Sequence, residues 1–231
     1  MTAMSAIEIM SPAGSFASLN TAIKAGANAV YFGIEQLNMR ARAANNFKTT
    51  DLPEIVRICQ AKNVKTYLTV NTILYYHDLT LLKKICDAAK AAGVTAIIAS
   101  DVAAFQYANS IGLEIHISTQ QNVSNIEAVR FFAKFADVIV LARELSLNQI
   151  KKIIQQIKDE KITSPRGELI KIEIFAHGAL CVAISGKCYM SLATQNASAN
   201  RGACTQNCRR TYRVIDEENG EELVLDNKYI M

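Results

Sequence analysis

The chain has 231 residues, half of them hydrophobic, which suits one large domain with a sizeable core. Charged residues make up 20% of the sequence and the formal net charge is +4, so charge alone does not indicate a nucleic-acid-binding protein. No apolar run approaches the ~18 residues of a membrane-spanning helix and no signal peptide is visible, so we expect a cytoplasmic protein with no membrane partner and with reduced cysteines.

Short apolar runs alternate with amphipathic stretches along the chain. Seven runs are predicted to be strands, at residues 7–10, 29–34, 65–71, 96–100, 114–120, 138–142 and 170–177. Six stretches between them are predicted to be helices, at residues 15–25, 51–62, 78–92, 102–110, 125–135 and 146–161. This alternation predicts a parallel sheet with right-handed crossovers.

The pattern favours an α/β fold, a TIM-like (β/α) barrel. Residues 1–178 would form seven β/α units, and residues 179–231 a cysteine-rich segment and a hairpin (strands at 213–216 and 222–225) within the same domain. No eighth strand is evident, so we expect a barrel truncated before its last strand. The alternative is an open doubly wound sheet, but residues 11–15 lack the glycine-rich dinucleotide fingerprint.

Three predicted strands alternate between an apolar face, which should meet the helices, and a polar face, which should meet the barrel axis. The inward set is Tyr67, Thr69, Asn71, His116, Ser118, Gln120, Glu173, Phe175 and His177. Barrel interiors are commonly filled by branched apolar residues, so a polar interior predicts a substrate cavity. The alternative is a network that satisfies itself, for example His116 bonded to Glu173.

Polar residues also follow the strand ends, where barrel active sites form. They are Asn71, Asp101, Gln120, Arg143, Glu144 and His177. The candidates for catalysis drawn from both sets are His177, Glu173, His116, Asn71, Gln120 and Glu144, and the sequence does not choose among them.

Three arginines are candidates for binding an anionic substrate. Arg40 and Arg42 lie on the loop after the second strand, and Arg143 follows the sixth strand. Guanidinium groups match carboxylates bidentately, so we expect a small dicarboxylate at this mouth of the barrel. The alternative is that these arginines are solvated or pair with neighbours such as Glu144.

Four of the six cysteines follow the last predicted strand: Cys181, Cys188, Cys204 and Cys208. Zinc ribbons prefer two short C-x2-C pairs, whereas iron–sulfur clusters accept more varied thiolate spacing. A catalytic cysteine beside His177 is a weaker alternative, since it leaves three cysteines without a role. The other two, Cys59 and Cys86, lie among apolar helix residues and are expected to be inert core cysteines.

The sequence resembles the U32 family, long labelled peptidases or collagenase-like proteases. The matching segments are residues 11–15, 29–33, 37–42, 114–122, 141–146, 177–188 and 199–208. The resemblance implies a barrel-like N-terminal domain, a [4Fe-4S] cluster and hydroxylation without molecular oxygen. In the most similar branch it implies a tRNA wobble uridine as substrate and prephenate as co-substrate, whereas other members act on ribosomal RNA or in ubiquinone synthesis.

The resemblance implies Cys181, Cys188 and Cys204 as cluster ligands. The fourth is Cys208 in some members and a cysteine a few residues beyond position 231 in others. RNA is then the expected partner, met by the basic residues Arg201, Arg209, Arg210 and Arg213.

Two other functions stay open. One is a peptidase, although the sequence offers neither H-E-x-x-H nor G-x-S-x-G. The other is a metal-bound scaffold that binds a partner subunit or a second copy of the chain.

Overall fold

Seven parallel strands form one sheet in the order of the sequence, curled into a half-barrel with helices outside it. The computed structural model describes residues 7–41, 46–178 and 181–223. The strands are β1 (Met10–Pro12), β2 (Ala29–Phe32), β3 (Lys65–Val70), β4 (Ala96–Ala99), β5 (Glu114–Ile117), β6 (Val138–Val140) and β7 (Lys171–Glu173). The helices are α1 (Phe16–Lys24), α2 (Leu52–Gln60), α3 (Leu79–Ala92), α4 (Val102–Ser110), α5 (Ile126–Phe132), α6 (Leu147–Asp159) and α7 (Met190–Gln195).

Polar caps begin several of these helices where the sequence predicted. Ser146 and Gln149 form a reciprocal capping box at the start of α6, and the Asn125 side chain accepts a hydrogen bond from a backbone N–H of α5. Helix α3 ends at Gly93, whose φ of 80° lies in the left-handed region that favours glycine. Local sequence therefore sets where these helices start and stop.

The core lies between the sheet and the helices. Four neighbouring strands each place one fully buried side chain against the helix layer: Leu68, Ile97, Ile115 and Ile139. Leu68 and Ile115 belong to the strand faces that were predicted to be apolar. Replacing one such side chain with alanine would cost about 2–5 kcal/mol. The opposite faces carry Tyr67 and His116 into the half-barrel, so polar groups line its interior.

The strand predictions were wrong at both edges of the sheet. β1 begins at Met10, because Ile9 bonds instead to the Asn28 side chain and to the turn before β2. β7 ends at Glu173 rather than at residue 177, because its neighbour β6 ends at Val140, and the last bond between them runs from the Leu141 N–H to the Glu173 carbonyl oxygen. An edge strand has only one neighbour, so its length depends on that neighbour.

The sheet is open within the described ranges, since β1 and β7 are its edges and do not pair with each other. Seven parallel strands were predicted, and this is confirmed. The predicted hairpin is present as β8 (Val214–Ile215) and β9 (Glu222–Leu223), although residues 224 and 225 lie outside the described residues. No helix of the described chain is long and apolar enough to cross a membrane.

Candidate active site at the barrel mouth

The carboxyl ends of the strands form a mouth that residues 181–212, here called the cysteine segment, cross and cover. Where the segment crosses the loop after β5, the Asn122 side-chain amide donates a hydrogen bond to the Ser185 carbonyl oxygen at 2.6 Å. Arg143, after β6, donates through Nη2 to the Ser185 hydroxyl and to the Ala183 carbonyl oxygen. Gly186 lies so close to Gln120 that a Cβ there would sit 3.1 Å from its carbonyl oxygen.

The same segment is bound to the loop after β3. The Ile73 N–H donates to the Asn200 carbonyl oxygen at 3.2 Å. Arg201 donates through Nη1 to Asp78 Oδ2 and to the Ile73 carbonyl oxygen, each at 2.8 Å, and its guanidinium stacks 4.2 Å from the Tyr75 ring centroid. The Arg201 guanidinium holds the pKa of Asp78 below its usual value. Arg201 is therefore an anchor of the segment, and the RNA contact predicted for it stays a prediction.

The cysteine segment also contacts the loop after β2. Gly202 has a φ of 85°, and a Cβ there would collide with the Asn38 carbonyl oxygen. The buried Asn38 side chain is itself bonded within its loop, donating to the Ile34 carbonyl oxygen and accepting from the Arg40 N–H. Only glycine allows this close approach, so position 202 fixes the segment against the barrel.

Polar atoms beneath the segment have unused hydrogen-bonding capacity. Asn71 joins three loops, because its Oδ1 accepts from the Met39 N–H at 3.1 Å and its Nδ2 donates to Ser118 Oγ at 3.4 Å. Four nearby side-chain atoms are buried without a hydrogen-bond partner among the described residues: Thr119 Oγ1, Gln120 Oε1, Asn122 Oδ1 and Arg143 Nε. Buried polar groups are normally paired, so this layer fits a polar ligand or ordered water.

His116 lies deeper in the half-barrel, between two carboxylates. Its Nδ1 is 3.4 Å from Glu173 Oε2 and its Nε2 is 3.5 Å from Glu114 Oε1, too long for strong hydrogen bonds but close enough for attraction. Burial opposes a charged imidazole, but the two carboxylates outweigh it and raise the pKa of His116. The predicted alternative, a network with His116 bonded to Glu173, is thus present only as a charge contact, because neither ring nitrogen of His116 has a hydrogen-bond partner among the described residues.

Tyr67 completes this interior layer. Its ring centroid lies 4.4 Å from that of His116, and its hydroxyl donates to Glu8, which also pairs with Lys65 at 2.6 Å. Burial raises the pKa of Tyr67, so the phenol stays neutral at physiological pH. Protein groups therefore fill the interior at this level.

The remaining catalytic candidates are more scattered than predicted. His177 and Phe175 were predicted to point inward, but both lie past the end of β7 and are exposed. Glu144 is exposed on the rim. Asn71 and Gln120 lie at the covered mouth, as predicted, and a catalytic role for them stays a prediction.

The three predicted substrate arginines have different surroundings. Arg143 is partly buried and forms no ion pair with any described residue, so the predicted alternative of a bridge to Glu144 is not observed. Arg40 is exposed after β2, close enough to the interior to influence Tyr31. Arg42 lies outside the described residues.

The four cysteines of the segment are not gathered into a ligand set. Cys181 and Cys204 are exposed, while Cys188 and Cys208 are partly buried. Within residues 7–41, 46–178 and 181–223, no group of three or more His, Cys, Asp or Glu side chains is placed to hold a metal ion. The predicted ligands therefore stay a prediction, as does the division of the domain at residue 178.

The two helix cysteines behave as predicted. Burial raises the pKa of Cys59 to about 11 and that of Cys86 to about 12, so both thiols are protonated and unreactive. A groove of about 460 Å³ lies outside the barrel between α2 and α3 and includes no candidate residue.

Sequence reasoning missed the residues that bind the cysteine segment to the barrel. Ser185, Asn122, Asn38 and Asp78 are ordinary polar residues in loops, and their partners are distant in sequence. The available signal was the glycines Gly186 and Gly202, since a glycine in a loop often marks a close backbone approach.

The sequence model described as peptidase family U32 matches residues 14–231. A solved structure of the U32 peptidase Mk0906 superposes with a TM-score of 0.55 over 75% of this chain and 69% of its own, at 14% identity, and so supports the fold.

Three curated relatives show the range of names in this group. "Collagenase" of Porphyromonas gingivalis is 59% identical over 97% of this chain and 54% of its own length. "23S rRNA 5-hydroxycytidine C2501 synthase" of Escherichia coli is 37% identical over 92% and 30%, respectively. "tRNA hydroxylation protein P1" of Bacillus subtilis is 31% identical over 94% and 50%. The chain spans about half the length, or less, of these relatives.

Proposed function

Because the chain belongs to peptidase family U32, we propose that it forms part of an enzyme that hydroxylates RNA without molecular oxygen. The proposed substrate is a tRNA wobble uridine, with prephenate as co-substrate in the cytoplasm. Two relatives with RNA hydroxylation in their names match more than nine-tenths of this chain, which supports an RNA substrate.

One observation carries the proposal: a polar barrel mouth is covered by a cysteine segment that is bound to it at four loops. Arg143 and Gln120 lie beneath this segment with buried polar atoms that have no partner in the described chain. Such a site suits a small polar ligand held out of bulk water, and its cover carries the thiols that would face it.

Prephenate has two carboxylates, and Arg143 is the residue proposed to bind one of them. Its Nη2 is already bonded to the cysteine segment, so a ligand would be held by the rest of the guanidinium. Arg40 would meet the second carboxylate at the rim.

Arg143→Ala should weaken prephenate binding about ten- to a hundredfold, since a charge-assisted bond contributes ~1.5–3 kcal/mol. Isothermal titration calorimetry measures the prephenate affinity. The control is Arg57→Ala on the outer helix α2, which should leave this affinity unchanged. Unchanged affinity in Arg143→Ala would show that Arg143 contacts the cysteine segment but does not bind prephenate.

The cofactor proposal rests on the chemistry of the thiols. Cys181, Cys188 and Cys204 would hold an iron–sulfur cluster, with Cys208 as the candidate fourth ligand. Such a cluster, when bound, supplies one-electron transfer. The four cysteines do not form a ligand set in this structure. The roles proposed for Arg143, Gln120 and Asn71 are therefore limited to binding the polar ligand.

A peptidase is the second candidate, favoured by the 59% identity to a relative named collagenase. Peptidase chemistry usually needs a histidine hydrogen-bonded to a serine or cysteine. In the described parts of the chain, none of the hydrogen bonds of His77, His116 or His177 reaches such a side chain.

The deciding experiment is mass spectrometry of nucleosides from tRNA and rRNA of a strain that lacks the gene. Loss of one hydroxylated pyrimidine, restored by the wild-type gene but not by a Cys188→Ala gene, is the expected result. Unchanged nucleosides together with cleavage of gelatin by the purified protein would favour the peptidase instead.

A further inference from the structure

Exposed aromatic side chains lie on the two segments that frame the barrel mouth. Tyr75 and Tyr76, on the loop after β3, have 54% and 91% of their surface exposed. Tyr189, between Cys188 and helix α7, is 65% exposed. Single exposed apolar groups are ordinary, but several aromatic rings around one opening indicate a binding surface.

Contacts between the two segments hold these rings on one connected surface. The Asn200 carbonyl oxygen accepts from the Ile73 N–H in the β3 loop, and the Asn200 side chain accepts from the Cys188 N–H at 3.4 Å. Asn200 thus links the residue before Tyr189 to the loop that carries Tyr75 and Tyr76. Arg201, stacked on one side of Tyr75, fixes the orientation of that ring.

The cysteine segment that carries Tyr189 also carries exposed cations. Lys187 and Arg210 are exposed on the cysteine segment. The neighbouring acids are already engaged: Asp78 binds Arg201, and Asp101 accepts from the backbone N–H groups of Leu74 and Ala103. An anionic partner would therefore meet exposed cations and few free carboxylates.

We propose that Tyr75, Tyr76, Tyr189, Lys187 and Arg210, here called the mouth patch, bind unpaired nucleotides of an RNA loop. The bases stack on the tyrosine rings, and the two cations contact phosphates on either side. A base must leave its stack to enter the mouth, which a loop allows and a duplex resists. The inference rests on the proposed RNA-hydroxylating function and adds the surface of the chain that recognises the RNA.

Fluorescence anisotropy with a labelled RNA hairpin tests this, using the full 231-residue chain and a duplex of the same length for comparison. Tyr76→Ala and Tyr189→Ala should each weaken hairpin binding about ten- to a hundredfold, because one stacked base is lost. Tyr76→Phe keeps the ring and should bind within about twofold of wild type. The double variant Lys187→Ala, Arg210→Ala should show a shallower dependence of log K on log salt concentration, because about two phosphate contacts are lost.

The matched control is Phe131→Ala, which removes a 53% exposed ring from the far end of α5, away from the mouth. Thermal melting confirms that each variant is folded. Hairpin binding that persists in both tyrosine variants would overturn the mouth patch while leaving an RNA substrate in place.

A proline-rich collagen-like peptide distinguishes the other class of partner, since such peptides also dock on aromatic surfaces. Binding of this peptide in a Tyr76-dependent manner, with no binding of either RNA, would overturn both this inference and the RNA function proposed above.

Discussion

At the scale of single residues, the interior of the half-barrel shows how charge can be kept away from water. His116 has Glu114 and Glu173 on either side, with Tyr67 against its ring and Glu8 close enough to add attraction. The carboxylates make the imidazolium favourable despite burial. The protonation state of one side chain is thereby coupled to the stability of the sheet.

Because the pKa of His116 is raised in the folded protein, its contribution is fully present below the unfolded pKa, about 6.5, and is lost as pH rises through the folded value. The free energy of unfolding should therefore decrease with rising pH above about 6.5. Urea titrations at several pH values measure this slope. The slope should disappear in His116→Gln. It should persist in the control His77→Gln, because the His77 side chain is 71% exposed. A slope that survives in His116→Gln would show that another group causes the pH dependence.

The cysteines give a second prediction for single residues. Replacing Cys181, Cys188 or Cys204 with alanine should each abolish visible absorbance and iron content after anaerobic purification, since a cluster needs its thiolates. Cys86→Ala, in a buried position on α3, is the control and should keep its iron. If all three segment variants retain iron fully, these cysteines are not the ligands, and the same assay on Cys208→Ala decides its role.

At the scale of elements, the cysteine segment is held mainly by long-range contacts rather than by its own secondary structure. Its one helix, α7, has six residues, and its two 3-10 turns have three each. Asn207 ties these pieces together through Thr194, Thr205 and Tyr212. The position of the segment then depends on the Arg201–Asp78 anchor and on Gly202.

Arg201→Ala should loosen the segment without unfolding the barrel, because it removes a partly buried ion pair and a stacking contact. A loss of about 2 kcal/mol in local stability is expected. Limited proteolysis should then cut within residues 181–212 faster than in wild type, whereas Arg210→Ala on the same segment should not change the rate. Equal rates in Arg201→Ala and wild type would show that other contacts suffice.

At the scale of the whole molecule, the open sheet leaves one side of β1 and one side of β7 without a strand partner in the described chain. Apolar side chains lie at these edges, with Ile9 61%, Ile174 43% and Phe175 52% exposed. Unpaired edges with apolar neighbours are sites of association between chains.

Ile174→Lys with Phe175→Lys should therefore reduce self-association of the chain, because a charge beside the β7 edge disfavours strand pairing. Analytical ultracentrifugation over a range of concentrations measures the effect. Phe131→Lys, which places the same charge on an equally exposed position of α5, should leave association unchanged. Equal association of all three proteins would exclude the β7 edge as the contact.

The sequence by itself determined the order of the seven strands, the inner and outer faces of β3 and β5, the family, and the inert state of Cys59 and Cys86. These features depend on residues close together in the chain: periodicity, caps and buried apolar runs. Tertiary structure alone decided the rest. β7 stops at Glu173 because β6, its strand neighbour in the sheet, ends at Val140, and His177 lies past that end and is exposed. Arg201 binds Asp78, and Arg143 binds Ser185, because loops far apart in sequence meet at the mouth of the half-barrel. No local pattern encodes such meetings, since each depends on the path of the whole sheet.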